Sequence, residues 1–142
     1  MLKLNNEESK RILFLQQAIG ASARDVIETE DQFVFIISNG EMGRALGKNG
    51  RNVETIERLM KREVLFIEYS EDVKRFTENI FFPTKINDTE IKDKMVIIGI
   101  DSKNKKFIIG KGGKKIKLAK RLLDRHFGIK DIKINENTKS LI

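Results

Sequence analysis

The sequence predicts an α+β protein built from two copies of one small unit. Three observations carry that expectation. Each half reads helix–strand–strand–short helix–glycine loop–helix–strand, the halves match at a constant offset of 63 residues, and the same basic Gly-x-x-Gly tetrad recurs in register. Asp25 falls on Asp88, Phe33 to Ile37 on Val96 to Ile100, and Arg44-Ala45-Leu46 on Phe107-Ile108-Ile109. Gly47, Lys48 and Gly50 fall on Gly110, Lys111 and Gly113, and Arg58-Leu59 on Arg121-Leu122. This is an internal duplication of a unit of about 65–70 residues.

In the first half, Asn5 or Asn6 can cap a helix that carries Glu7 and Glu8 in its first turn. Ile12, Leu15 and Ile19 recur at helical spacing, and Gly20 is a fitting stop. Ala23 to Glu28 reads as a strand and Glu30-Asp31 as a turn. Gln32 to Ser38 is nearly continuous in β-branched and aromatic residues, which predicts a central strand. A short helix, Glu41 to Leu46, leads to the first glycine loop. In the next helix, Arg51 to Arg62, the residues Val53, Ile56, Leu59 and Met60 form one apolar face, and Glu63 to Tyr69 is a strand.

The second half opens at Ser70 with a helix carrying Val73, Phe76 and Ile80 inward, ended by Pro83. Lys85 to Lys92 and Lys94 to Asp101 read as strands. Lys103 to Ile109 is the short helix before the second loop. Lys114 to Phe127 is the long helix, burying Ile116, Ala119, Leu122, Leu123 and Phe127. Ile129 to Asn135 alternates as a half-exposed strand. The expected domains are 1–70 and 71–137, with 138–142 a loose tail. No Gly/Ser/Pro-rich linker separates them, which predicts a fixed relative orientation.

Charge separates the copies. Residues 1–70 hold 10 Lys+Arg against 11 Asp+Glu, and residues 71–142 hold 18 against 10, so the whole excess of +7 lies in the second half. Such a concentration points to a polyanion partner. There is no cysteine, which excludes disulfides and thiolate metal sites and fits a reducing compartment. No apolar run approaches the roughly 20 residues that span a bilayer, and Glu7 and Glu8 stand where a signal peptide would turn apolar. A cytoplasmic protein with no membrane partner is expected.

A glycine–lysine loop at a helix start is suited to phosphate. Helix N-terminal amides point outward unpaired, the dipole favours an anion, and glycine lets a backbone approach closely. The candidate residues are Gly47, Lys48, Asn49, Gly50 and Arg51 in the first copy. In the second they are Gly110, Lys111, Gly112, Gly113, Lys114, Lys115 and Lys117. Nucleotide-enzyme motifs fail here. A Walker A loop would need glycine at Met42 or Lys105 and Ser/Thr at Asn49 or Gly112. A dinucleotide fingerprint would need glycine at Lys115 and a preceding strand. His126 is the lone histidine, near a helix end, and the carboxylates form no pair at a loop. No catalytic residue, metal site or cofactor is expected.

The order of elements around Gly43-Arg-Ala-Leu-Gly-Lys-Asn-Gly-Arg-Asn-Val and Ile109-Gly-Lys-Gly-Gly-Lys-Lys-Ile-Lys-Leu-Ala-Lys resembles the KH fold in its type II order. Two such units in tandem, with the sequel Arg121-Leu-Leu-Asp-Arg-His-Phe-Gly-Ile, resemble the archaeal NusA-like family, which lacks the N-terminal polymerase-binding and S1 domains of bacterial NusA. The resemblance covers nearly the whole chain. It implies two tandem type II KH domains, each a small three-stranded sheet packed against three helices. It implies a non-enzymatic transcription elongation or termination factor that clamps single-stranded nascent RNA through both GxxG loops, with RNA polymerase as a second candidate partner. A monomer is expected.

In KH modules the GxxG loop clamps the backbone of about four nucleotides while bases lie along an apolar groove. That places Gly47–Gly50 and Gly110–Gly113 on the backbone, with Lys48 and Lys111 on phosphates. Val53 and Ile116, one turn later, fit either the groove floor or the core, and the buried stripe they continue favours the core. The first helix carries Glu54 and Glu57 where the second carries Lys117 and Lys120, so the second unit is expected to supply more of the electrostatic affinity. Lys120 and Arg125 fit a solvated face equally well. An RNA-processing or ribosome-assembly factor, and a polymerase-docking scaffold with structural loops, are the competing readings.

Overall fold

The computed structural model describes residues 2–136; the predicted tail at 138–142, and Asn137, lie outside the described residues. The chain divides into two compact units at Ser70/Glu71. The first runs α1 (Asn6–Ile19), β1 (Ala23–Glu28), β2 (Gln32–Ile37), α2 (Met42–Leu46), α3 (Arg51–Met60) and β3 (Glu63–Glu68). The second repeats it with α4 (Val73–Phe81), β4 (Asp88–Lys92), β5 (Met95–Ile100), α5 (Lys105–Ile109), α6 (Lys114–Phe127) and β6 (Asp131–Glu136). Short 3₁₀ turns occupy Lys48–Gly50, Ser102–Asn104 and Lys111–Gly113.

Each unit is a three-stranded sheet with its second strand central, antiparallel to the first and parallel to the third. Phe33 pairs with Val64, and at the equivalent place Val96 pairs with Ile132. A parallel pair cannot be closed by a hairpin. The crossover is supplied by α2, the glycine loop and α3, and again by α5, the second loop and α6. Each glycine loop is therefore held between two helices anchored to the sheet. The central β2 is buried at five of its six positions, which explains its continuous apolar run.

Local chemistry sets the boundaries. Asn5 caps α1 in a capping box: its side chain accepts from the Glu8 amide at 2.8 Å, and its own amide donates to Glu8 Oε1 at 2.9 Å. The first core gathers Leu15, Val26, Phe35, Ile37, Ala45, Ile56 and Phe66. Phe35 and Phe66 meet edge to face, their centroids 6.0 Å apart. In the second unit Phe76, Ile80, Ile98, Ile100, Ile108, Ala119, Leu122 and Leu123 are buried, and the Phe76 ring lies 5.7 Å from those of His126 and Phe127. The lone histidine thus packs as a helix-end aromatic. At the edge of the first unit, the Arg11 and Arg62 guanidinium groups lie 4.7 and 4.8 Å from the Phe33 ring centroid and reach the Glu28 carboxylate at 3.5 and 2.6 Å.

The structure differs from the sequence reading in several places. Helix α3 stops at Met60, because Lys61 turns left-handed at φ 57°. Leu59, expected in the apolar face, is 53% exposed, whereas its repeat partner Leu122 is buried. The reason is the partner helix. In the second unit α4 packs along α6 and covers a wide stripe, including Leu118, which the sequence reading missed; α1 lies mainly against β1. Ile116 and Phe127 are half-buried. The run before the second loop is a 3₁₀ turn, Ser102–Asn104, followed by α5 from Lys105, and β4 begins only at Asp88.

Candidate nucleic-acid interface

The two glycine loops share one backbone. Gly47 has φ 70° and ψ −172°, and Gly110 has φ 79° and ψ 170°. Few residues other than glycine adopt these angles. Crowding adds a second requirement: a Cβ on Gly47 would lie 2.6 Å from Asn52 Nδ2, and one on Gly110 would lie 2.6 Å from Lys115 Cβ and 2.8 Å from its amide nitrogen. Asn49 and Gly112 are both left-handed, at φ 59° and 63°. Asparagine tolerates that region better than most residues, so the first loop keeps the geometry without the glycine. The amides of Gly50 and Gly113 bond back to the carbonyls of Gly47 and Gly110 at 3.3 and 3.0 Å, closing each turn.

Helices α3 and α6 begin at Gly50 and Gly113, and neither has a side-chain cap. The Arg51 and Lys114 amides turn back onto the Lys48 and Lys111 carbonyls, and no side chain caps the positive dipole end of either helix. Lys48, Asn49, Arg51, Lys111, Gly112, Lys114 and Lys117 are exposed around these ends, while the flanking glycines Gly47, Gly50, Gly110 and Gly113 are half-buried. Among the described residues, no carboxylate pairs with Lys48, Arg51, Lys111 or Lys117. Lys115 is set apart. Its stem is packed beneath Gly110, and burial lowers its ammonium below the ordinary 10.5. Val53 is half-buried against the first core, as the stripe suggested.

One residue was missed. Asn52 occupies the place beneath Gly47 that Lys115 occupies beneath Gly110. Its Nδ2 donates to the Arg44 carbonyl at 3.2 Å, tying α3 back to α2 across the loop. The 63-residue offset pairs these two positions and would have found it.

Residues 73–137 match the family model for the NusA-like second KH domain, and residues 13–74 match a KH domain model. A probable transcription termination protein NusA from Methanococcus vannielii is 34% identical over 137 residues, covering 94% of this chain and 79% of that protein. The chain belongs to the archaeal NusA-like family. A second relative with that description, from Methanocaldococcus jannaschii, is 34% identical over 97% of this chain and 78% of its own length. The crystal structure of APE1850 aligns with a TM-score of 0.80 at 30% identity, covering 93% of this chain and all of that one.

The two KH units of this NusA-like chain differ in what surrounds the loops. From Ser102 to Lys120 there are eight lysines and no acidic residue. Some are engaged: Lys105 pairs with Glu136 at 2.8 Å, and Lys120 with Asp131 at 3.4 Å. The Ile132 amide, and then Lys120, hold the Asp131 carboxyl below its ordinary range. Glu57 is also engaged, accepting from the Val64 amide at 3.0 Å. The contrast between Glu57 and Lys120 drawn from sequence is therefore between two committed side chains. The difference that remains at the loops is Glu54 in the first turn of α3 against lysines in the first turn of α6. Among the described residues, no group of three or more His, Asp or Glu side chains could hold a metal ion, and no helix is long and apolar enough to cross a membrane.

Proposed function

We propose that this protein binds single-stranded RNA by gripping its backbone with both GxxG loops, and that it acts on nascent transcripts in elongation and termination. The observation that carries this reading is the pair of loops with one shared backbone. Each presents an uncapped helix end and unpaired cations to solvent. Phosphates approach the N-terminal ends of α3 and α6, with Lys48, Arg51, Lys111, Lys114 and Lys117 around them. The second unit carries the larger share of the electrostatic affinity. The relatives named as probable transcription termination proteins support the process assignment. A monomer that also contacts RNA polymerase belongs to the same reading.

Crosslinking the protein to RNA in cells and sequencing the attached RNA tests it. Reads spread over nascent transcripts support the proposal. Reads confined to ribosomal RNA would move the protein to ribosome assembly, and an absence of crosslinked RNA would overturn RNA binding itself.

A further inference from the structure

We propose that Phe107 is a base-stacking platform that fixes the nucleotide beside the second clamp. The inference rests on the RNA-binding reading above and adds a base-binding contact to it. Phe107 lies in α5, three residues before Gly110, in the turn that leads into the loop. It is 56% exposed, although Ile108 beside it is fully buried in the core of the second unit. The Lys106 ammonium lies 5.1 Å from the ring centroid.

A single exposed aromatic is common on protein surfaces and carries no argument alone. This one lies inside the run of eight lysines and no acid that spans Ser102 to Lys120. An apolar protein surface is poorly matched to that surround, because docking there would take ammonium groups such as those of Lys111 and Lys117 out of water. A nucleotide matches both parts: its phosphate meets the lysines and its base meets the ring. Stacking on an aromatic face accepts any base, and a neighbouring cation strengthens it. The repeat supplies an internal contrast. The equivalent residue of the first unit is Arg44, which pairs with Glu41 at 3.7 Å. Only the second unit has the ring, and it is also the unit with the positive field. The clamp at Gly110–Gly113 therefore holds a phosphate and a base together, whereas the clamp at Gly47–Gly50 holds backbone.

The test compares wild type, Phe107→Ala and Phe107→Trp for binding to a single-stranded RNA oligonucleotide by fluorescence anisotropy. A matched oligonucleotide with abasic sites is run in parallel. Phe107→Ala is expected to weaken binding about tenfold, within the range for one lost base stack, with no change in the salt slope because no charge is removed. Phe107→Trp is expected to bind at least as well as wild type. On the abasic strand the three proteins should bind alike. Equal binding of Phe107→Ala and wild type to the normal strand would overturn the proposal while leaving the RNA-binding reading intact. A loss that persists on the abasic strand would overturn it too, as would a loss of RNA polymerase binding with RNA binding untouched. No RNA binding by wild type would instead sink the parent reading.

Discussion

The asymmetry between the two clamps can be measured with matched substitutions. Changing Lys111 and Gly112 to aspartate removes one positive charge and adds two negative ones. Changing Lys48 and Asn49 to aspartate does the same to the first loop. Both second positions are left-handed, where aspartate is among the better-tolerated residues, and an added Cβ at Gly112 meets nothing within 4 Å. The fold should therefore survive in both, which circular dichroism checks. One lost charge-assisted contact is worth about 1.5–3 kcal/mol, so roughly 10- to 150-fold in affinity. Lysines that neighbour the second loop strengthen the phosphate it holds, whereas Glu54 already weakens the first. The Lys111/Gly112 variant should thus lose about 100-fold at low salt and the Lys48/Asn49 variant about tenfold. Anisotropy titrations across a salt series provide the assay. The wild-type slope of log affinity against log salt should fall by about 0.7 for each phosphate contact removed. Equal losses, or the reverse order, would refute the asymmetry, and a flat salt response would refute the electrostatic account.

Other expectations concern stability. Gly110→Ala should destabilise the second unit by about 2 kcal/mol or more, since it combines a disfavoured backbone region with a close approach to the Lys115 backbone. Gly112→Asn, which copies Asn49, should cost no more than about 1 kcal/mol, and denaturant midpoints separate the two. Ile56→Ala should cost about 2–5 kcal/mol in the first unit, because the side chain is fully buried between helix and sheet. Lys115→Met should raise the thermal midpoint at neutral pH. Its ammonium is partly desolvated in the folded state and hydrated in the unfolded one, so the wild type is penalised below the folded pKa. That penalty fades as pH rises from the lowered folded value toward 10.5, so the gain should shrink over that window and vanish above it. A gain that grows with pH would show that burial of the ammonium is not the cause.

Much of this structure is written in local pattern. The central strands are legible because Phe33 to Ile37 and Met95 to Ile100 are nearly continuous apolar runs; the first is buried at every one of its apolar positions, whereas Met95 and Ile97 of the second are half-buried. The loops are legible because Gly47 and Gly110 fill positions that a Cβ would crowd, and because the motif recurs in register. What escaped depends on partners distant in sequence. Leu59 and Leu122 have the same local pattern, and only the placement of α1 or α4 decides which is covered. Lys115 reads as one more loop cation, yet its stem lies under Gly110 and its charge is partly desolvated. Glu57 and Lys120 read as opposite charges facing a ligand, but each is committed within its own unit, to the Val64 amide and to Asp131. Sequence spacing reports which residues share a helix face. It does not report which of them find an intramolecular partner.

The central claim is that both GxxG loops hold RNA backbone through their own amides. A titration of isotope-labelled protein with single-stranded RNA, followed amide by amide by NMR, tests it most directly. The largest shifts should fall on Gly112 to Ile116, with smaller ones on Asn49 to Val53, and both sets should shrink with added salt. Saturable RNA binding with those amides unmoved, and the shifts gathered elsewhere on the protein, would contradict it.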